Sequence, residues 1–309
     1  MRDLIGYLLQ RAAWLVLTLW LVFTFSFILM RSVPGSPFKS ERALPPAIER
    51  QLEARYNLDG TMPEQYFQVL GRIVLHGDLG WSMKLEDYSV AEVIAEGFPI
   101  SASLAVFALV FAIVLGVTAG VVSAVRRGTS ADLSLMVAAV LGIAVPNFVL
   151  ASLAILLFVF VIPLFPAAGW GTFRQIILPA ACLGAPVAAY IARLTRTGML
   201  EVMTKDYVRT AIAKGLPERT AILRHALPAG LLPVVSFLGP ATARVLTGSL
   251  VLERIFALPG MGSHFVEAAL QRDLSLAMGM VLTYTVLLFA MNTLVDVSYA
   301  VIDPRVKLK

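Results

Sequence analysis

Apolar and polar residues in this chain are separated into long blocks rather than alternating. The apolar blocks, none with more than one charged side chain, are 12–30, 98–125, 133–165, 178–192, 229–251 and 275–302. A transmembrane helix needs about 20 mostly apolar residues, and all but the shortest block, 178–192, approach or exceed that length. The pattern therefore predicts an all-α, polytopic membrane protein with six transmembrane helices.

Prolines inside several blocks predict bends in these helices. Pro146 and Asn147 interrupt the block 133–165, and Pro186 and Pro240 lie within two later blocks. Neighbouring helices of a membrane bundle can satisfy the backbone groups that a proline leaves unpaired. We therefore expect kinked spans rather than a larger number of short ones.

The composition supports a membrane location. Of 309 residues, 58% are hydrophobic and 15% are charged, with a mean hydropathy of +0.81, whereas soluble domains average about 45–50% apolar and about 25% charged residues. Cys182 is the single cysteine, so the chain holds no internal disulfide. The apolar block 12–30 is longer than the 7–15-residue core of a secretory signal, and we interpret it as a retained helix.

The distribution of lysine and arginine over the short loops predicts the orientation, since cytoplasmic loops are richer in these residues. If the N-terminus is cytoplasmic, 14 basic residues fall inside and three fall outside. The inner set is Arg2, Arg11, Arg126, Arg127, Arg193, Arg196, Lys205, Arg209, Lys214, Arg219, Arg224, Arg305, Lys307 and Lys309. The outer set is Arg174, Arg254 and Arg272. Both termini are therefore predicted to be cytoplasmic.

A long external region, 31–97, follows the first span. A turn is predicted at 34–37, a helix over 45–56, and a second helix from Pro63. The expected apolar stripe of that second helix is Tyr66, Phe67, Leu70 and Val74. Ser89 and Glu92 have capping-box spacing for the next span. The region either caps the outer ends of the spans or forms a vestibule or landing surface for a binding protein.

The most informative segment is a polar, basic stretch at 198–228 between two apolar blocks. Thr204 is the predicted N-cap of a short helix that ends near Lys214, and Gly215 is the residue that stops it. Pro217 is predicted to open a second helix, ending near 227–228. Tyr207, Ala211 and Gly215 recur every four residues, which suggests a helix face that another backbone can approach closely.

This segment resembles the coupling loop of ATP-binding-cassette importer permeases. The family motif reads Glu-Ala-Ala, three residues, Gly, nine residues, then Ile-x-Leu-Pro. Here 209–211 reads Arg-Thr-Ala, Gly215 follows at the right spacing, and 225–228 reads His-Ala-Leu-Pro. Arg209 and His225 replace the usual Glu and Ile, as in the peptide-transporter branch. The matching residues elsewhere are 34–38 Pro-Gly-Ser-Pro-Phe, 76–80 His-Gly-Asp-Leu-Gly, 247–249 Thr-Gly-Ser, 259–262 Pro-Gly-Met-Gly and 299–305 Tyr-Ala-Val-Ile-Asp-Pro-Arg.

The resemblance covers nearly the whole chain and is strongest to the B subunits of oligopeptide permeases. It implies a single transmembrane permease domain over 1–309 in a bacterial cytoplasmic membrane. The residues implied to couple the chain to an ATPase are Asp206, Tyr207, Arg209, Thr210, Ala211, Lys214, Gly215 and Leu216. Implied partners are a second homologous permease, two ATPase subunits and an external peptide-binding protein. Oligopeptides are the implied cargo; dipeptides, cell-wall peptides and nickel chelates are alternatives.

The chain itself is expected to bind no cofactor and to catalyse no reaction. It has no Gly-x-x-x-x-Gly-Lys-Ser/Thr phosphate loop, so ATP and magnesium are expected on the partner ATPase subunits. The spans contain no histidine and no carboxylate pair, which counts against an intramembrane enzyme. A channel or secondary transporter working alone is a remote alternative, since it leaves the segment around Gly215 unexplained.

Ionisable residues inside membrane spans are candidates for function. Arg244 lies about the middle of the block 229–251, where it either lines a translocation path or makes a structural pair. Glu253 and Arg254 follow it and are candidates for an outer gate. For Asp296, near an inner helix end, a structural pairing is expected.

Overall fold

The computed structural model describes residues 2–32 and 58–302, and between them only residues 45, 47, 48, 51, 52 and 56. Within these ranges the fold is all-α, as predicted, and the isolated bridge between Trp81 and Ser89 is the β-type pairing found there. The predicted turn at 34–37 lies outside the described residues, and the predicted helix over 45–56 lies largely outside them.

The helices are numbered in chain order. They are α1 (Arg2–Ser32), α2 (Met62–His76), α3 (Val90–Val125), α4 (Ser130–Ala144), α5 (Asn147–Ile155), α6 (Phe173–Val202), α7 (Asp206–Ala213), α8 (Glu218–Thr220), α9 (Leu227–Gly230), α10 (Leu232–Thr247), α11 (Leu250–Ile255), α12 (Met261–Gln271) and α13 (Leu274–Ile302). Two π-helical segments, π1 (Leu156–Val161) and π2 (Ala221–Ala226), continue α5 and α8.

Four helical segments are individually long and apolar enough to cross a membrane, namely Gly6–Ser32, Val90–Val125, Phe173–Val202 and Leu274–Val297. Two bent pairs raise the count to six if each is one span, which is the predicted number. The bends are 50° between Glu218–Gly230 and Leu232–Thr247, and 109° between Ser130–Ala144 and Asn147–Val161.

The 109° bend is sharper than the kink that the sequence predicted at Pro146. Val145 is extended, with φ −83° and ψ 124°, because the ring of a following proline disfavours helical geometry at the preceding residue. Pro146 has no N–H to continue the ladder and instead begins α5 as its N-cap. By contrast, Pro186 and Pro240 lie inside α6 and α10, as expected.

The described chain divides into two compact units. Unit 1 contains the residues up to Pro99 and Gly260–Ala290, and unit 2 contains Ile100–Pro259 and the residues from Met291 onward. The expectation of one transmembrane domain over 1–309 stays a prediction.

The core of unit 1 joins α1, α2 and α13 through aromatic rings. Phe23 and Phe27 of α1 meet Tyr66 of α2 at ring distances of 5.3 and 5.5 Å. The predicted stripe of α2 is therefore partly wrong, because Phe67 and Val74 are 68% and 69% exposed. The residues of α2 that pack instead, besides Tyr66 and Leu70, are Val69 and Ile73.

Asp273, buried between α12 and α13, fixes the end of the external region within unit 1. Its carboxylate accepts hydrogen bonds from the Ser82 hydroxyl and from the N–H groups of Met83 (2.9 Å) and Lys84 (3.2 Å). The other oxygen accepts the N–H of Leu276 at 3.0 Å, at the start of α13. One carboxylate thus ties residues 82–84 to the start of the last span. The predicted capping box of Ser89 and Glu92 is also present.

Unit 2 is built around α6, whose buried side is lined with small residues. A Cβ added to Gly116 of α3 would lie 2.6 Å from the backbone oxygen of Ala188, and one added to Gly120 would lie 2.6 Å from that of Ala192. Small residues spaced by four let helix backbones approach closely in membranes. The two longest helical segments of unit 2 are therefore in backbone contact.

Candidate functional site

The predicted helix of the segment 198–228 forms as α7, two residues after Thr204. Lys205, not Thr204, is the N-cap. The Thr204 hydroxyl instead donates to the carbonyl of Glu201 at 2.7 Å and so closes α6. Asp206 lies in the first turn of α7, where a carboxylate is favoured by the positive end of the helix dipole.

Gly215 ends α7 in the manner predicted. Its φ of +84° is in the left-handed region, which glycine adopts without a Cβ penalty. The N–H of Gly215 bonds to the carbonyl of Ile212 at 2.9 Å, and the N–H of Leu216 bonds to that of Ala211 at 3.2 Å. These two bonds form a Schellman motif. Pro217 follows, where the helix has already stopped.

One side of α7 is packed against the rest of unit 2. Val208 is 2% exposed and belongs to a cluster with Ala124 of α3, Met199 of α6 and Ile222 of π2. Ala211 is 7% exposed. The three residues expected to form one approachable face, Tyr207, Ala211 and Gly215, are therefore not all accessible. Ala211 is buried against the rest of unit 2, whereas the other two are exposed.

The rest of the α7 surface is open, with Tyr207 and Ile212 flanking the buried pair Val208 and Ala211 on either side and polar and basic groups beyond them. Tyr207 and Ile212 are each 48% exposed. The remaining exposed side chains predicted to couple are Asp206, Arg209, Thr210 and Lys214, and Leu216 is half-buried. A surface helix that buries small apolar residues and exposes a tyrosine and an isoleucine has the character of a docking element, since exposed apolar patches mark interaction sites.

The segment after Gly215 differs from the predicted second helix. Pro217 is the N-cap rather than the first helical residue, and α8 passes into π2 after Thr220. The helix then continues to Gly230 instead of ending near 227–228. A π-helical turn inside an α-helix is uncommon and often marks a functional site.

Gly198 and Gly230 join this segment to α6. A Cβ on Gly198 would collide with the backbone oxygen of Gly230, and a Cβ on Gly230 would collide with the side chain of Met199, so the close approach needs glycine at 198. The 50° bend follows at Leu231. The bend between the segment 198–228 (called the coupling segment after the resemblance) and α10 is therefore held against the C-terminal part of α6.

The residues predicted to line a translocation path or gate differ in their burial and position. Arg244 lies in the last turn of α10 and is exposed, rather than being central in its helix. Glu253 is fully buried and accepts a hydrogen bond from Ser249. Arg254 is exposed and Asp296 is half-buried. Among the described residues no group of three or more His, Cys, Asp or Glu could hold a metal ion.

A partly buried ion pair was missed by the sequence analysis. Asp132, near the start of α4, receives hydrogen bonds from Arg196 of α6 at 2.8 and 2.9 Å. The Ser123 hydroxyl and the N–H of Gly128 also donate to it. Arg196 was counted only as an inner positive charge, and no local pattern links residues so far apart in sequence. The available signal was a lone aspartate beginning an apolar block.

The fold and this segment define a polytopic helical membrane protein with a short exposed polar helix, the architecture of a transporter permease. The chain matches the family described as binding-protein-dependent transport system inner membrane component over residues 112–308. It belongs to this family.

Curated relatives match over nearly the full length. The chain is 43% identical over 306 residues to the oligopeptide transport system permease protein OppB of Escherichia coli (strain K12), covering 98% of this chain and 100% of that protein. It is 44% identical over 302 residues to the dipeptide transport system permease protein DppB of Bacillus subtilis (strain 168), covering 98% of each.

Among solved structures, the fold is similar to the crystal structure of an amino acid ABC transporter with histidines. The TM-score is 0.52 at 14% identity, over 70% of this chain and 95% of that chain. At this identity the likeness shows the fold alone. The chain is thus a multi-pass permease component of the inner membrane, which agrees with the resemblance of its coupling segment.

Proposed function

We propose that this chain is one of two permease subunits of an ATP-driven importer that carries oligopeptides into the cell. The observation that carries the proposal is α7, which is anchored through the buried Val208 and Ala211 and exposes Tyr207 and Ile212 beside them. The similarity to OppB over 98% of the chain supports oligopeptides as the cargo.

In the proposed mechanism α7 transmits motion rather than performing chemistry. Its exposed side docks in a groove of an ATPase subunit. Its buried side, through Val208, contacts the ends of α3 and α6 and the π2 segment. When ATP binding closes the ATPase dimer, displacement of α7 draws these helix ends towards those of the second permease, and the transmembrane path changes from inward-open to outward-open.

The remaining partners follow from the same proposal. A second homologous permease completes the path, two ATPase subunits bind ATP and magnesium, and an external binding protein delivers the peptide. Both termini and α7 then lie in the cytoplasm, in agreement with the excess of basic residues on that side. The external region 31–97 lies where the binding protein arrives.

Dipeptides are the second candidate cargo, because the dipeptide permease DppB is as similar to this chain as OppB is. Uptake of labelled dipeptides and of longer peptides should be compared in cells with and without this gene, with all other components intact. Selective loss of longer-peptide uptake supports the oligopeptide proposal. Selective loss of dipeptide uptake would show that dipeptides, not oligopeptides, are the cargo. Unchanged uptake of both would contradict peptide transport.

Docking and transmission can be separated with neighbouring residues of α7. Tyr207→Ala removes an exposed ring and is expected to weaken copurification of the ATPase subunits. Val208→Ala leaves that surface intact but loosens the packing beneath it, a loss of about 1–3 kcal/mol for a buried aliphatic side chain. It should retain the ATPases but transport less peptide per ATP hydrolysed. Normal copurification and normal coupling in both variants would contradict the role of α7.

A further inference from the structure

A stripe of two prolines, a serine and an arginine runs along α10, within a segment that is otherwise apolar. Its members, Pro233, Ser236, Pro240 and Arg244, are exposed, and Leu232 and Val235 are exposed beside it. The members of the stripe are three or four residues apart and therefore lie on one face of the helix. The buried side of the same helix carries small and aliphatic residues instead, including Val234, Ala241 and Val245.

The stripe is unsuited to contact with lipid. A charged side chain within a membrane segment almost always faces the bundle interior or a water-filled cavity. Arg244 has no ion pair or side-chain hydrogen bond with another residue in the part of the chain that the structure describes. Within the described part of the chain its guanidinium is thus available to an anionic partner.

A backbone acceptor lies two turns from Arg244 on the same stripe. Pro240 is inside α10 and has no N–H, so the carbonyl of Ser236, four residues earlier, lacks its usual helical donor. Ser236 is exposed. The stripe therefore presents a cation at one end and an unclaimed carbonyl at the other.

The neighbouring helix adds an aromatic surface beside the stripe. Tyr190 of α6 is 44% exposed and stacks on Phe237 of α10, with ring centroids 4.7 Å apart. Gly198 of α6 contacts Gly230 of α9, which precedes α10 in the chain, so α10 runs in the opposite direction to α6. Arg244 is seven residues beyond Phe237 and lies about 10 Å further along α10, away from the coupling segment.

These groups match the chemistry that all peptides share. Peptides of different sequence have in common a main chain and a terminal carboxylate, and arginine binds carboxylates in bidentate geometry. Arg244 and Ser236 are eight residues apart, about 12 Å along the helix, which an extended peptide covers in about three to four residues.

Resting on the proposed peptide cargo, we propose that Arg244 binds the terminal carboxylate of the peptide in transit while the Ser236 carbonyl accepts a hydrogen bond from its main chain. The peptide then passes along the α10 stripe beside Tyr190. Recognition of this kind ignores side chains, which suits a path for many sequences.

The first test compares a peptide with a free C-terminus and its C-terminal amide, in cells carrying the whole transporter. Each variant rate is divided by the wild-type rate for the same peptide, so the contribution of the binding protein cancels. Arg244→Gln should slow the free acid by roughly tenfold or more, the loss expected for a charge-assisted hydrogen bond, and change the amide little. Arg244→Lys should be intermediate, and Arg174→Gln, an exposed arginine at the start of α6, should change neither.

A second measurement needs no amidated peptide. Cys182 is buried and is the single cysteine, so an introduced cysteine can be labelled selectively with a water-soluble maleimide. Transported peptide should slow the labelling of Ser236→Cys and leave that of Ser152→Cys, an exposed serine of α5, unchanged.

The outcomes separate the two proposals. If Arg244→Gln slows both peptides equally, or neither, Arg244 does not bind the terminal carboxylate. If peptide leaves the labelling of Ser236→Cys unchanged, the peptide does not pass along the α10 stripe. In either case the proposed peptide cargo still stands. If the wild-type transporter moves no peptide, the cargo and this inference are both overturned.

Discussion

The role of Gly215 can be tested by substitutions that separate backbone conformation from crowding. Its φ is +84°, and no atom lies within 4 Å of a Cβ built at this position. Any cost within the chain is therefore conformational, about 1–2 kcal/mol for an L-residue in the left-handed region. This corresponds to a factor of roughly 5–30 in the population of the capped helix. Since α7 has 8 residues, too few for stability alone, its order depends on this cap and on its packing.

The expected order of coupling is Gly, then Asn, then Ala, then Val. Asparagine tolerates the left-handed conformation despite its size, whereas alanine is smaller but disfavoured there and valine is worst. The assay reconstitutes the whole transporter in proteoliposomes and measures peptide moved per ATP hydrolysed, with amide exchange over 206–215 as a second readout. Membrane insertion should be normal in every variant. If Asn is as poor as Val, crowding of the docking surface explains the effect, and if Val couples normally, the coupling role of Gly215 is wrong.

Three further predictions concern packing and capping. Gly116→Ala places a Cβ 2.6 Å from an α6 backbone oxygen, so it should lower the Tm in detergent, by an amount that corresponds to about 1–3 kcal/mol in the free energy of unfolding. Gly71→Ala, with open space around it, should leave the Tm unchanged or raise it. Equal effects of the two substitutions would contradict the close approach of α3 and α6. Asp273→Ala removes the acceptor of the 82–84 amides, at roughly 1–3 kcal/mol per orphaned donor, and should speed trypsin cleavage at Lys84; an unchanged rate would count against the anchor. Hydrogen bonds from the backbone N–H and hydroxyl of Thr61, the N-cap of α2, lower the pKa of Glu64. The stabilisation of α2 by ionised Glu64 is therefore fully present above the ordinary pKa of a glutamate and is lost as pH falls through the lowered pKa. Amide exchange at the start of α2, corrected for the intrinsic rate, should rise in that pH range, and Glu64→Gln should remove the pH dependence.

Features set by a few adjacent residues were predicted well from the sequence. Gly215 was identified as the end of α7 because a left-handed residue followed by proline is a local requirement. The capping box of Ser89 and Glu92 was found for the same reason, since both partners lie within one turn. The number of spans also follows from block lengths alone, provided that each of the two bent pairs of helices is taken as one span.

Features that depend on distant segments could not be obtained in this way. The sequence suggested Phe67 and Val74 as buried, but the direction that α2 turns to the protein is set by the rings of Phe23 and Phe27 on α1. Ala211 was expected on the docking face and is instead covered. In both cases the helix itself was predicted correctly, but the face that is buried depended on where the neighbouring element lay.

The covered position of Ala211 strengthens the argument for coupling rather than weakening it. A helix that only docked on a partner would slide against its own protein when the partner moved. Because Val208 and Ala211 are buried while Tyr207 and Ile212 are exposed, force applied to the exposed side must pass into the α3 and α6 ends that contact Val208. An exposed surface for docking and a buried contact that transmits the motion, both on the same eight-residue helix, are what the proposed coupling to a separate ATPase requires.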